Sequence, residues 1–227
     1  MTSNQAQSDT SLGDASSVEN GKYQVIYADP PWHFRTYSKK GRDRCPDNKH
    51  YQTMNLDWVK GLPISEIADD NCALFLWVID PMLPQGLEVM KSWGFKFKTV
   101  AFTWVKKNRV SDGFFTGLGY WTRGNPEMCL LGTRGKPKRI SKSVPQLNIS
   151  SRREHSRKPD EIREAIVELM GDVPRVELFA RHHFDGWDAW GDEVSHSQGR
   201  GAGQMNILDR LTKVTYPAVR GNVNDKA

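Results

Sequence analysis

Apolar positions along this chain gather into short runs separated by polar, glycine-rich or basic stretches, and the spacing within each run predicts its structure. Val25 to Ala28 and Ala73 to Val78 are unbroken apolar runs of strand length, the second suited to a strand buried on both faces. Between them, Leu56 to Ile67 carries short helical patterns interrupted by Gly61-Leu62-Pro63. Leu83, Leu87 and Met90 lead to Trp93-Gly94 as a helix closed by glycine, and Phe97 to Val105 returns as a strand, which predicts a βαβ unit. Met128 to Leu131 predicts another strand. Pro159 opens the clearest helix: acids Asp160 and Glu161 in its first turn, Ile162, Ala165, Ile166 and Leu169 on one stripe, Gly171 as its stop. Arg175 to Ala180 then alternates as a strand, and Gly186 to Gly191 reads as a turn and a further strand. Together these predict an α/β fold with a mostly parallel sheet and helices on both faces.

The ends contrast with this middle. Residues 1–20 are rich in Ser, Asn, Gln and Asp and predict a disordered arm; residues 21–194 form the expected domain; 195–227 predict a flexible tail, with one short helix at Met205 to Leu211. No apolar stretch approaches a membrane span, and the first 20 residues lack the apolar centre of a signal peptide, so a soluble cytoplasmic protein is expected. Cys45, Cys72 and Cys129 are odd in number and contain no Cys-x-x-Cys pair, which argues against a zinc site or a disulfide framework.

The first apolar run ends abruptly in Asp29-Pro30-Pro31-Trp32. Prolines fix φ and donate no N–H, so the turn is stiff and its carbonyls remain acceptors. An ionised Asp29 and the Pro30 carbonyl can together receive one exocyclic amine, while Trp32 offers a flat face for the ring that carries it. Adenine is the natural candidate. Its N6 lone pair is delocalised into the purine, and two acceptors on the amine hydrogens would free it for alkylation and stabilise the charge that develops. A purely structural alternative has Asp29 capping the chain and Trp32 filling a core gap.

Charge adds a partner. The net charge is +5, and between Arg134 and Lys158 nine cations are opposed only by Glu154, which points to a nucleic-acid face. The basic loop expected over 33–52 is either functional or merely solvated. Lys106 to Arg123 mixes Phe114, Phe115, Tyr120 and Trp121 with cations; the aromatics either stack on bases or tuck onto the core. Glu177 inside its strand needs a partner, and Arg181 at the strand's carboxyl end is placed to supply one or to bind a ligand.

Ala28 to Trp32, Leu74 to Val78, Trp104 to Lys106, Glu127 to Gly132, His155 to Ile162 and Glu177 to Arg181 occur in the order found in the adenosine-N6 methyltransferase family named after the seventy-kilodalton subunit of the eukaryotic mRNA enzyme, which the chain closely resembles. The resemblance implies a Rossmann-like methyltransferase of permuted order, S-adenosyl-L-methionine as methyl donor and adenine N6 as acceptor. It implies catalytic roles for Asp29, Pro30, Pro31 and Trp32, and cofactor contacts from Asp29, Lys158, Glu177, Arg181, His183 and Asp192, with Lys158 on the cofactor carboxylate and Arg181 on the ribose. Asp192-Glu193 replaces the family's Asn-Gln, and Phe184 follows His183, so the cofactor site departs there. DNA is the expected acceptor, as for bacterial and phage-like members, with RNA as the alternative; no metal is expected, and a homo- or heterodimer is open. A non-catalytic nucleic-acid-binding subunit is the rival, opposed by the intact Asp-Pro-Pro-Trp, and a small-molecule or protein methyltransferase is a third reading.

Overall fold

A computed structural model describes residues 22–32, 55–119, 121–153, 157–191, 194 and 211. The arm expected over 1–20, the basic loop over 33–52, Asp192-Glu193 and the tail from 195, save Leu211, lie outside the described residues.

In chain order the elements are β1 (Tyr23–Ala28), α1 (Leu56–Gly61), α2 (Ile64–Ile67), β2 (Ala68–Val78), a 3-10 turn (Asp80–Met82), α3 (Leu83–Ser92), β3 (Lys96–Lys107), β4 (Glu127–Arg134), β5 (Leu147–Ser151), α4 (Glu161–Met170), β6 (Arg175–Leu178) and β7 (Asp188–Trp190). Seven strands form one sheet in the order β5-β3-β4-β2-β1-β6-β7. All pairings are parallel except those of β4, which runs against both β2 and β3. The expected strand-helix-strand unit is present, with one addition. β2 and β3 point the same way across α3, but β4 is inserted between them, a pairing that local periodicity cannot specify.

Strand alternation builds two cores. Ile26, Ala28, Leu74, Leu76 and Val78 face α1, α2 and α3 through Val59, Ile64, Ile67, Val89 and Met90. Val25, Tyr27, Ala73, Phe75 and Trp77 face the other side, under Ile162, Ile166 and Met170 of α4. Both faces being covered explains why β1 and β2 read as unbroken apolar runs. Each such aliphatic side chain contributes about 1.5–3 kcal/mol by leaving water. Helix boundaries follow local chemistry: Asn55 Oδ1 accepts from the Asp57 N–H at 3.0 Å to start α1, and Gly171, at φ 89°, ends α4.

β1 lies at the centre, with β2 on one side and β6 on the other. The chain leaves β1 in one direction and returns on its opposite flank, so the carboxyl ends of β1 and β6 border the crevice where open α/β sheets bind ligands. Asp29 stands at that point.

Candidate active site

Ala28 pairs with Leu76 on one side and Leu178 on the other, so Asp29 emerges above the sheet between Trp77 and Phe179. Its side chain is 26% exposed, open enough to meet a ligand. Asp29 Oδ2 accepts from Lys158 Nζ at 2.7 Å. The same ammonium lies 3.2 Å from Glu127 Oε2, and Glu127 Oε1 lies 2.5 Å from Lys106 Nζ. Lys106, Glu127, Lys158 and Asp29 thus alternate in sign along one line of ion pairs. Burial alone would lower the Lys158 pKa, but Asp29 and Glu127 outweigh it and hold the value above the ordinary lysine range. Burial would likewise raise Glu127, yet Lys158 and Lys106 bring it below the ordinary carboxylate range.

Lys158 stands at the amino end of its helix, as expected, but it is buried. It sits ahead of α4, which begins at Glu161, and its side chain is only 8% exposed. Its ammonium is directed at two protein carboxylates, those of Asp29 and Glu127. The geometry makes Lys158 a support for Asp29.

Two features of the proline turn also differ from expectation. The Pro30 carbonyl accepts from the Trp32 N–H at 2.8 Å, so one of its lone pairs is committed within the turn. Trp32 is buried in the first core, and its indole N–H donates to the Trp77 carbonyl at 2.9 Å. The expected open indole face is corrected: the ring fills the core gap and anchors the turn. Pro31, by contrast, remains partly exposed beside Asp29.

Glu177 does need a partner, and the partner is Arg163 instead of Arg181. Arg163 Nε and Nη2 donate to Glu177 Oε2 and Oε1 at 2.6 and 2.7 Å. Both carboxylate oxygens accept from Arg163, so Glu177 fastens α4 to β6. The guanidinium also lies 3.7 Å from the Phe184 ring centroid, so Phe184 covers the pair. Beyond β6, Phe179 adopts a left-handed φ of 61°, and Ala180 N–H donates to the Trp190 carbonyl at 3.0 Å. That bend carries the partly exposed Arg181 and His183 to the same end of the sheet as Asp29. Asp192 lies outside the described residues.

The basic stretch divides. Arg153 and Arg157 both pair with Asp160, and Arg152 lies 3.6 Å above the Phe115 ring, all near the start of α4. Cys72 pairs with Arg134 and Val78 with Met128, so β4 runs from the Asp29 end of the sheet to the other end, roughly 20 Å at ~3.3 Å per residue. Lys136, Lys138, Arg139 and Lys142 follow β4 and leave from that far end. A single nucleic-acid face over the whole stretch is therefore corrected to two separate groups of cations.

Sequence reasoning assigned no role to Glu127, Lys106 or Arg163. Glu127 left one signal, an acid opening an otherwise apolar strand. Among the described residues there is no group of three or more His, Cys, Asp or Glu side chains able to hold a metal, and no helix is long and apolar enough to cross a membrane.

The MT-A70 family model matches residues 23–193. A type II methyltransferase, M.MunI of Mycoplasma sp, is 32% identical over 189 residues, covering 76% of this chain and 78% of that protein. The N(6)-adenosine-methyltransferase catalytic subunit METTL3 of Homo sapiens is 32% identical over 165 residues, covering 72% of this chain but 26% of its own length. A putative N(6)-adenosine-methyltransferase MT-A70-like protein of Medicago truncatula is 33% identical over 178 residues, covering 77% and 27%. The chain thus spans about a quarter of the plant and human relatives and most of the bacterial one. A partly exposed aspartate held by a buried lysine at the central switch point of a Rossmann-like sheet, with the family match running from β1 through β7, leads to one conclusion: the chain is a methyltransferase belonging to the MT-A70 family.

Proposed function

We propose that the protein methylates N6 of adenine in DNA with S-adenosyl-L-methionine as donor. The observation that carries this reading is the Asp29 carboxylate, partly exposed at the carboxyl end of β1 and held by Lys158. The residues at this end fit such a donor in their chemistry: an acid at the end of β1, and Arg181 and His183 after β6, offer opposite charges for an amino-acid group and donors for a ribose. Bound there, S-adenosylmethionine supplies an electrophilic methyl group on a sulfonium.

Asp29 accepts hydrogen bonds from the exocyclic amine and weakens the conjugation of the N6 lone pair with the ring. The second lone pair of the Pro30 carbonyl adds an acceptor on the same stiff turn. As nitrogen becomes positive, the carboxylate stabilises it. The pairing of Glu127 with Lys158 matters here, because a lysine answering to Asp29 alone would cancel more of the charge the amine must feel. Asp29 then faces an acidic N–H and, being partly exposed, can pass the proton to water.

DNA is preferred because the chain aligns with most of a relative designated type II, a term for modification enzymes of DNA. RNA is the second reading, favoured by the relatives named N(6)-adenosine methyltransferases. Incubation with labelled cofactor and matched DNA and RNA oligonucleotides, followed by nucleoside analysis, tests both. The expected product is N6-methyldeoxyadenosine. Equal or better labelling of RNA transfers the assignment to RNA, and tight DNA binding without transfer to either polymer makes the chain a binding subunit.

A further inference from the structure

We propose that the loop joining β3 to β4 is a platform on which unpaired nucleotides flanking the target base stack; this deepens, and rests on, the reading that the substrate is a polynucleotide. The loop leaves β3 at Lys107 and enters β4 at Glu127, so it rises from the end of the sheet that carries Asp29. It is pinned. Asn125 accepts from the Lys106 N–H at 3.0 Å and donates to the carbonyls of Lys106 and Phe115, and Gly117 and Gly124 are joined at 2.7 Å across the loop. A Cβ on Gly117 would lie 2.6 Å from the Gly124 carbonyl, so the close crossing of the two arms excludes a larger residue there.

On this fixed support Trp121 is 93% exposed and Phe114 58% exposed. Neither is a core residue, so the reading that the aromatics tuck inward does not hold for these two; among the described aromatics of the loop Phe115 does so, beneath Arg152, and Tyr120 lies outside the described residues. Exposed Lys107, Arg109 and Arg123 share the loop with these rings, and exposed Asp112 is the acid between Lys107 and Arg123 in sequence. Flat apolar faces interleaved with cations suit bases and phosphates of a single strand, since every base has a stackable face and every linkage a negative charge. A protein partner would be served as well by Val110 and Leu118, but the excess of cations and the origin of the loop beside the Glu127–Lys158–Asp29 line favour the strand that delivers the target base. A base inside a duplex must leave its stack to reach Asp29, and its neighbours then have faces to offer.

The test measures the affinity of wild type, Trp121→Ala and Phe114→Ala for a fluorescein-labelled single-stranded oligodeoxynucleotide, with a matched oligoribonucleotide as the second arm. Trp121→Ala is expected to weaken binding about tenfold or more, with the thermal midpoint unchanged. Arg109→Gln and Arg123→Gln are each expected to reduce the slope of log affinity against log salt by about 0.7. The arm that responds identifies the polymer. Wild type that transfers methyl groups while Trp121→Ala retains full affinity overturns the platform alone. Wild type that binds neither polymer overturns the substrate reading as well, and a Trp121→Ala protein that changes from dimer to monomer in sedimentation reassigns the surface to a second copy of the chain.

Discussion

Lys158 and Asp29 stand 129 residues apart in the chain and meet at 2.7 Å, joining the segment ahead of α4 to the turn after β1. Glu127 shares the same ammonium from β4. Replacing Lys158 by Met keeps the length of the side chain and removes its charge, leaving two carboxylates facing each other. The loss of a charge-assisted hydrogen bond, ~1.5–3 kcal/mol, predicts a fall in kcat of about tenfold to a hundredfold. Lys158→Arg should recover part of it. Titrating the cofactor into both variants checks the assignment, because a lysine whose role is to bind the cofactor carboxylate would lose cofactor affinity instead of kcat. Asp29→Ala, which removes the acceptor itself, should cost at least about a hundredfold in rate with polynucleotide affinity largely kept.

Glu177 and Arg163 make a different prediction. Removing one member of a buried, two-point ion pair strands the other, at ~3–5 kcal/mol. Glu177→Gln should therefore lower the thermal midpoint steeply, while Arg163→Met combined with Glu177→Leu recovers most of the loss. Cofactor affinity of folded Glu177→Gln should stay near that of wild type; a large drop would return Glu177 to the cofactor site.

Much of this was legible in the chain itself. The runs at β1 and β2, the apolar stripe of α4 with its stop at Gly171, and the acid delivered into Pro30-Pro31 are local signals that the structure bears out, although α4 begins at Glu161, two residues after Pro159. The insertion of β4 between β2 and β3 was not legible, because pairing depends on partners distant in sequence. Nor was β5, whose Leu147 and Ile149 lie in a polar stretch at the edge of the sheet and are half exposed, without the unbroken apolar signature of β1 and β2. The site shows the same division. Asp29 announced itself, whereas the partners of Lys158 and Glu177 arise from elements brought together only by folding.

Gly191 tests the turn that carries Arg181 and His183. A Cβ there would lie 2.2 Å from the Ala180 carbonyl oxygen and 2.7 Å from its nitrogen, and backbone atoms tied to Trp190 cannot give way as a flexible side chain could. Gly191→Ala is expected to cost about 1–3 kcal/mol through overpacking and to weaken cofactor binding by displacing the bend after β6. Calorimetric melting and cofactor titration read the two effects separately, and a variant with wild-type values in both would show that the bend tolerates the shift.

The line of charges also sets a dependence on pH. Glu127 titrates below its ordinary range in the folded protein, because Lys158 and Lys106 outweigh its burial. Its stabilising contribution is therefore complete above the unfolded glutamate value of about 4.3 and is lost as pH falls through the lower folded value. Lys158 is raised, so its contribution is complete below the unfolded lysine value of about 10.4 and is lost as pH rises through the folded one. Between about pH 5 and 10 the network should contribute a constant amount. Asp160 shifts downward and Glu177 upward, in opposite senses, so the melting curve of wild type alone mixes their effects. Subtracting the thermal midpoint of Glu127→Gln at each pH removes most of that background. The difference should be flat across the neutral window and shrink toward zero below about pH 4, where the glutamate that distinguishes the two proteins becomes protonated in both states. A difference that instead grows on acidification would mean that Glu127 is destabilising as a carboxylate, and that Lys158 answers to Asp29 alone.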